Sequence, residues 1–234
     1  EDFISDRSFR SDINFFRYGL FGQASADFLA NRLSFTLGIR ADGNSFTETG
    51  NELWQTMSPR MALSYDLTEN QKWTVKGSLG RYYKILPYTT LGFQDNAGNF
   101  PNKNTGYIRS DHAVLGLEYL LNERARISAE GFFKWYDDYP ISTTDSVSLA
   151  NKGGDFEVFG SEPVISAGQG RTYGLELLFQ QKFTGKLYGV AAFTFYKSEF
   201  TNLRNADYKP AVWDNGVLIS LLGGYKFGNH WEVG

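Results

Sequence analysis

Over long runs this chain places an apolar side chain at every second residue, a period that admits β-strands and little else. Leu33, Phe35, Leu37 and Ile39 alternate with Ser34, Thr36, Gly38 and Arg40; Tyr173, Leu175, Leu177 and Phe179 alternate with Thr172, Gly174, Glu176 and Leu178. Read in this way the sequence predicts nine strands, at 15–28, 33–41, 55–66, 72–82, 109–120, 125–137, 171–183, 187–198 and 216–227, with a tenth beginning at Trp231. The apolar face of each is expected to be free of Asp, Glu, Lys and Arg. The opposite faces take the charges, among them Arg40, Arg60, Lys76, Glu118, Glu130, Lys134 and Glu176.

One-sided strands also occur in soluble sandwiches, so length and connection decide between the two. Globular strands average ~5–6 residues, whereas crossing a bilayer at a tilt takes ~9–11. The predicted strands are of the longer kind. Their connections alternate strictly: short turns at 29–32, 67–71, 121–124, 184–186 and 228–230, long segments at 42–54, 83–108, 138–170 and 199–215. Tight turns at one end and long loops at the other are the pattern of an antiparallel transmembrane β-barrel. A mean hydropathy of −0.37 fits it, because such strands show lipid only alternate side chains. No apolar stretch approaches the ~18 residues of a membrane-spanning helix. Aromatic residues fall near both strand ends, Trp73 and Tyr119 at one and Trp135 and Tyr173 at the other, where headgroups would meet them.

About ten strands leave two possibilities. Either the tenth pairs with the first, or residues 1–234 are one partial barrel domain of a larger wall, which is the expectation adopted. An open edge in hydrocarbon would leave N–H and C=O groups unsatisfied at several kcal/mol each.

The sequence carries little chemistry. It has no Cys, which removes thiolate metal sites, disulfides and Cys nucleophiles, and its net charge of −3 shows no basic footprint for nucleic acid. Its two histidines, His112 and His230, are placed at opposite ends of the barrel and cannot share a site. Asp111, beside His112, points to the other face of a strand. Asp42-Gly43-Asn44 and Asp95-Asn96-Ala97-Gly98-Asn99 offer oxygen ligands, but these are also the default turn residues, and neither completes a calcium loop. Gly153-Gly154 and Gly168-Gln169-Gly170 lack the following helix that a phosphate cradle needs. No catalytic group, cofactor or metal is expected. What remains is a binding surface on the long loops. Arg81, Tyr82, Tyr83, Tyr88, Phe93, Phe100 and Tyr107 in and below 83–108, Tyr139 with Phe156 and Phe159, and Trp213 are its candidate ligand contacts. Rings interspersed with cations suit sugars or aromatic chelates, and the same rings would equally pack the loops against one another.

The stretch Ser58-Pro59-Arg60-Met61-Ala62-Leu63-Ser64-Tyr65, followed after a short turn by Gly77-Ser78-Leu79-Gly80-Arg81-Tyr82-Tyr83, resembles the barrel of TonB-dependent outer-membrane receptors. Leu115-Gly116-Leu117-Glu118-Tyr119 and Tyr173-Gly174-Leu175-Glu176-Leu177 resemble its later hairpins, with a flavour of Bacteroidetes-type bacteria. The resemblance covers residues 15–234. It implies the middle-to-late part of a barrel of about 22 strands around a plug, set in outer-membrane lipid. It further implies a nutrient importer rather than an enzyme, with a small-molecule or glycan ligand and the TonB system of the inner membrane as partners. The charges Arg40, Arg60, Lys76, Glu118, Glu130, Lys134 and Glu176 become candidate contacts to the lumen and plug. Siderophore-iron, haem, cobalamin and glycan cargoes all stay open. Two other readings also stand at this point: a complete small outer-membrane barrel, and a soluble surface β-protein that binds a partner through aromatic loops.

Overall fold

The computed structural model describes residues 11–152, 161–183, 185–203, 205–228 and 231–234. Phe156, Phe159, Gly153-Gly154 and His230 lie outside the described residues. The chain folds as one antiparallel meander. Its strands are β1 (Arg17–Phe28), β2 (Leu33–Asn44), β3 (Ser58–Asp66), β4 (Trp73–Lys84), β5 (Ile108–Asn122), β6 (Ala125–Ser142), β7 (Val164–Gln181), β8 (Leu187–Asn202), β9 (Asn205–Pro210), β10 (Val217–Phe227) and β11 (Trp231–Val233). They pair in the order β1-β2-β3-β4-β5-β6-β7-β8-β10-β11, with β9 folded back on β8. Sequential pairing satisfies the ladder hydrogen bonds that hydrocarbon cannot.

β1 and β11 are not paired with each other among the described residues, so the sheet is an open arc and the reading as a small closed barrel is not what forms. Nor does a second layer cover the apolar face. Leu37 is 50% exposed and Leu117 and Leu177 are each 39% exposed, so the apolar side chains do not converge on a protein interior. The sheet is the wall of an incomplete barrel.

Strand register sorts side chains into rows. One row of the polar face runs Gln23, Gly38, Arg60, Gly80, His112, Lys134, Thr172, Ser198 from β1 to β8; another runs Lys76, Gly116, Glu130, Glu176, Thr194. On the apolar face Leu37, Met61, Leu79, Ala113, Phe133 and Tyr173 form one row.

At the loop end the strands outrun the expectation. β6 and β7 have 18 residues each, about 60 Å if fully extended. Ten such residues cross a bilayer, so the rest projects beyond it. Much of the segment read as a loop at 138–170 is therefore strand: Pro140 pairs with Ser166, Ile141 with Ile165 and Ser142 with Val164. β9 likewise turns part of 199–215 into a hairpin on β8. β3 starts at Ser58 rather than 55, because Leu53–Thr56 forms a 3-10 turn. The expectation of an uncharged apolar face fails at this end. Arg81, Asp111 and Arg171 share a row with Trp135, Arg109 and Asp137 share a row with Tyr83, and Lys197 pairs with Tyr173. The physical reason is that lipid dictates alternation only through the depth of its hydrocarbon.

The closed hydrophobic core of this molecule lies in the loops. Ile85, Leu86, Leu91, Ile108 and Val164 cluster beneath Phe15, Phe46, Tyr107 and Tyr139; Ala150, Phe200 and Ala211 cluster beside Tyr136 and Tyr139. Gly170 makes room for the second cluster, since a Cβ there would lie 2.3 Å from the Phe200 ring.

Candidate binding site at the loop end of the wall

The short helix α1 (Tyr88–Leu91) and the 3-10 turn Pro101–Asn104 fold the 83–108 segment over the wall. Asn102 holds it there. The residue is fully buried, its Nδ2 donates to the carbonyls of Thr90 (2.6 Å) and Glu162 (2.9 Å), and its Oδ1 accepts from the Val164 amide (2.8 Å). Asn44, equally buried, binds the amides of Phe46 and Thr47 through Oδ1 and the Tyr107 hydroxyl through Nδ2. Sequence reasoning missed Asn102, because a buried amide that serves distant backbone leaves no local signature, and it met Asn44 only as a possible oxygen ligand, whereas the side chain serves its own turn at Phe46 and Thr47.

The candidate ligand residues divide into three groups. Phe100, Tyr107 and Tyr139 are loop packing: Phe100 meets Phe46 edge-on at 5.6 Å, Tyr107 lies against the Ile85–Leu91 cluster, and Tyr139 packs at a tilt on Phe200 at 4.5 Å. Burial pushes the Tyr139 phenol up to about 12. Phe93 is half-buried beside α1. Arg81 and Tyr83 lie on the apolar-face side of β4, away from the polar face, and Arg81 forms an ion pair with Asp111 at 2.6 Å. Tyr82, Tyr88 and Trp213 remain.

Tyr82 lies on the polar face just below the loops. Its ring folds over Gly80, where a Cβ would come within 2.9 Å. Arg60 sits over that ring at 4.3 Å and His112 lies against it at 4.5 Å. Ser110 Oγ reaches His112 Nε2 at 2.7 Å, while Asp111 turns to the other face and binds Arg81. The arrangement is a cation–aromatic–imidazole stack with, among the described residues, no carboxylate hydrogen-bonded to the imidazole, which suits a binding surface and not a proton relay. Tyr88 is 52% exposed and accepts a hydrogen bond from Arg17. Trp213 shows 41% of its surface, and its indole donates to Ser198 Oγ.

Arg40, Arg60, Lys76, Glu118, Glu130, Lys134 and Glu176 all share the polar face. Three of them are neutralised locally: Arg40 binds Asp42 at 2.6 Å, and Lys76 binds Glu118 at 3.0 Å, which Arg126 also reaches at 2.8 Å. Glu130 and Glu176 stand directly opposite one another in register, and among the described residues neither forms a salt bridge. Asp95 spends its carboxylate on its own turn, accepting from the amides of Ala97 (2.9 Å) and Asn99 (2.8 Å), and these bonds, that of Asn99 first, hold it below the usual carboxylate range. Among the described residues no three His, Asp or Glu gather as metal ligands.

Comparison with known proteins agrees with this geometry. The wall resembles the pyoverdine receptor FpvA of Pseudomonas aeruginosa PAO1, at TM-score 0.62 and 15% identity over 92% of this chain and 29% of that one. It also resembles the alcaligin receptor FauA of Bordetella pertussis, at 0.54 and 16% over 92% and 35%, and the copper transporter OprC, at 0.61 and 16% over 92% and 32%. The chain thus spans about a third of the structures it matches. A sequence comparison with characterised proteins finds no match. A family description, TonB dependent receptor-like, beta-barrel, matches residues 2–231. With nearly every residue matched, the chain belongs to the TonB-dependent receptors, as part of their outer-membrane β-barrel.

Proposed function

We propose that this wall serves a receptor that imports a scarce nutrient of the siderophore-iron, cobalamin or glycan class. Cargo meets the loop cap from outside, and Tyr82, Tyr88 and Trp213, with Arg60 and His112, form its contact surface. The polar face looks into a lumen filled by a plug domain, whose movement the TonB system drives. Glu130 and Glu176 are the plug contacts best supported, since two facing carboxylates without a barrel cation favour a cationic partner across the lumen. Arg40, Lys76 and Glu118, already paired within the wall, contribute less.

The observation that carries the reading is the Arg60–Tyr82–His112 stack. It is a half-buried aromatic ring carrying an exposed cation, on the polar face beneath the loop cap. Uptake by cells producing the full receptor chain tests it, using radiolabelled ferric hydroxamates and catecholates, cobalamin and oligosaccharides. One class is expected to enter in a TonB-dependent manner, and Tyr82→Ala should reduce that uptake about tenfold at unchanged receptor abundance, as the loss of one cation–π contact requires. Uptake of every class without dependence on this receptor would refute the proposal.

A further inference from the structure

We propose that the polar face of the wall carries a subsite for a carboxylate-bearing, hydroxylated arm of the cargo, such as a hydroxycarboxylate or a sugar acid. The inference rests on the importer reading and adds to it the charge of what is imported. Three neighbouring rows of this face form a band. The upper runs from Phe21 to Phe200 through Tyr82, the middle from Gln23 to Ser198 through Arg60 and His112, and the lower from Ser25 to Tyr196 through Ser78. No Asp or Glu stands in these rows. The permanent cations Arg40, Arg60 and Lys134 do, and Arg40 is paired with Asp42 one row higher. Arg60 and Lys134 form no salt bridge among the described residues. Each lies over a ring of the same face instead, Arg60 over Tyr82 at 4.3 Å and Lys134 over Phe132 at 5.3 Å.

A ring face takes up the charge of a cation but none of its N–H donors, so both side chains keep donors to offer. The neighbouring acids are engaged elsewhere. Asp111 turns to the other face and binds Arg81, Asp138 beyond the kink of β6 has Arg109 as its neighbouring cation, and Glu130 stands four residues below Lys134, about 13 Å along the strand. Arg60 leans over Tyr82 onto β4, and Lys134 stands two strands further on, so the two flank a gap of about 10 Å with His112 between them. Like charges across a gap repel, and an anion between them relieves both. Directly below Arg60 the same face opens into a cleft of about 220 Å³, lined by Thr36, Ala62, Ser64, Ser78, Lys76 and Glu130 among others. Pockets that hold a whole small molecule begin near ~300 Å³, so this cleft takes one arm of a larger cargo. The hydroxyls of Ser64 and Ser78 have no hydrogen-bond partner among the described residues, which leaves them for the hydroxyls of that arm. Free cations above and free hydroxyls below together select a carboxylate flanked by alcohols.

The full receptor chain in detergent should be titrated with three probes, and saturation-transfer NMR reads the occupancy of each. Gluconate carries the carboxylate and the hydroxyls, sorbitol replaces the carboxylate by a hydroxymethyl group, and propionate lacks the hydroxyls. Wild type is expected to bind gluconate about tenfold more tightly than sorbitol, the strength of one charge-assisted contact. Lys134→Gln should erase that preference, and Lys134→Arg should keep it. Ser64→Ala with Ser78→Ala should weaken gluconate and sorbitol alike and leave propionate unchanged. Each variant's barrel is checked by its resistance to unfolding in sodium dodecyl sulfate. Equal binding of gluconate and sorbitol by wild type overturns the proposal, and is the result expected if a plug carboxylate already holds the two cations. A folded Lys134→Gln that keeps the preference overturns it too, as does a serine double variant that weakens propionate as much as gluconate. Uptake separates this subsite from the importer reading. Cargo that enters through Tyr82 at the same rate with and without Lys134 overturns the subsite and leaves the importer standing, whereas Lys134-dependent gluconate binding upholds the subsite even where no cargo class enters.

Discussion

Replacing Asn102 by Ala should open the loop cap while leaving the wall intact. The side chain makes three hydrogen bonds to backbone groups that lie far apart in sequence, at Thr90, Glu162 and Val164, in a fully buried position. A buried hydrogen bond contributes about 1 kcal/mol net, and the stranded partners cost more where water cannot reach them. Three such bonds come to about 3 kcal/mol, or two decades in an opening equilibrium. Hydrogen exchange of the full receptor chain measures this directly. Amides at 88–92 and 164–166 should lose about a hundredfold of protection, and wall amides around Gly131 should lose none. Asn102→Asp sharpens the test. It keeps an acceptor for the Val164 amide but sets a carboxylate against two carbonyls, so at neutral pH its effect should equal or exceed that of Ala. Loop exchange in Asn102→Ala within threefold of wild type, or a loss that spreads through the wall, would refute the reasoning.

Three further outcomes are expected. Leu117→Lys puts a charge on the lipid-facing row between Val75 and Ala129 and should cost about 2–4 kcal/mol in denaturant titrations of the barrel in lipid. Ser78→Lys, on the polar face, should cost about 1 kcal/mol or less. The short turn between β1 and β2 sets Leu29, Ala30 and Asn31 at φ of 55°, 53° and 66°, a left-handed region that costs about 1–2 kcal/mol for an alanine; Ala30→Gly should recover about 0.5–1 kcal/mol in the same titration. Tyr139 is held protonated by burial, with a pKa of about 12 against an ordinary value of 10. Its contribution to loop order is therefore complete below pH 10 and falls as pH rises from there through about 12. Protease cleavage of the loops should increase across that window, and Tyr139→Phe should flatten the rise.

The wall was legible because period two is a local property. Leu33 to Ile39 and Tyr173 to Phe179 announce their faces without reference to any partner, and β2 and β7 follow. The loop end was not, for three reasons. Pairing of Ile141 with Ile165 joins residues across a long connection, and bulges between Tyr136, Tyr139 and Pro140 break the alternation on the way. Asp138, at φ 57°, is where the strand kinks. β9 reads Asn-Ala-Asp-Tyr-Lys-Pro, with no apolar period, and exists because the projecting end of β8 offers it an edge. The placement of Arg81, by contrast, was readable: it follows Leu79 by two residues and must share its face. Treating a charged residue near a loop as loop-facing overrode that parity.

The wall and its cap draw stability from different sources, and function follows from the difference. Within the bilayer the strands are held by ladder hydrogen bonds and by lipid on one side, with no protein interior. The cap is built like a small soluble protein, with buried aliphatic residues at Ile85, Leu86, Leu91, Ile108 and Val164, ring contacts around Phe200 and latched asparagines. Distant perturbations with no shared partners act additively, so the cap can loosen or tighten at little cost to the wall. A receptor needs that separation. In the importer proposed above, the loops rearrange around a cargo while every backbone group exposed to hydrocarbon stays paired. Placing the hydrophobic core outside the membrane, and the rigid register within it, meets both demands in a single sheet.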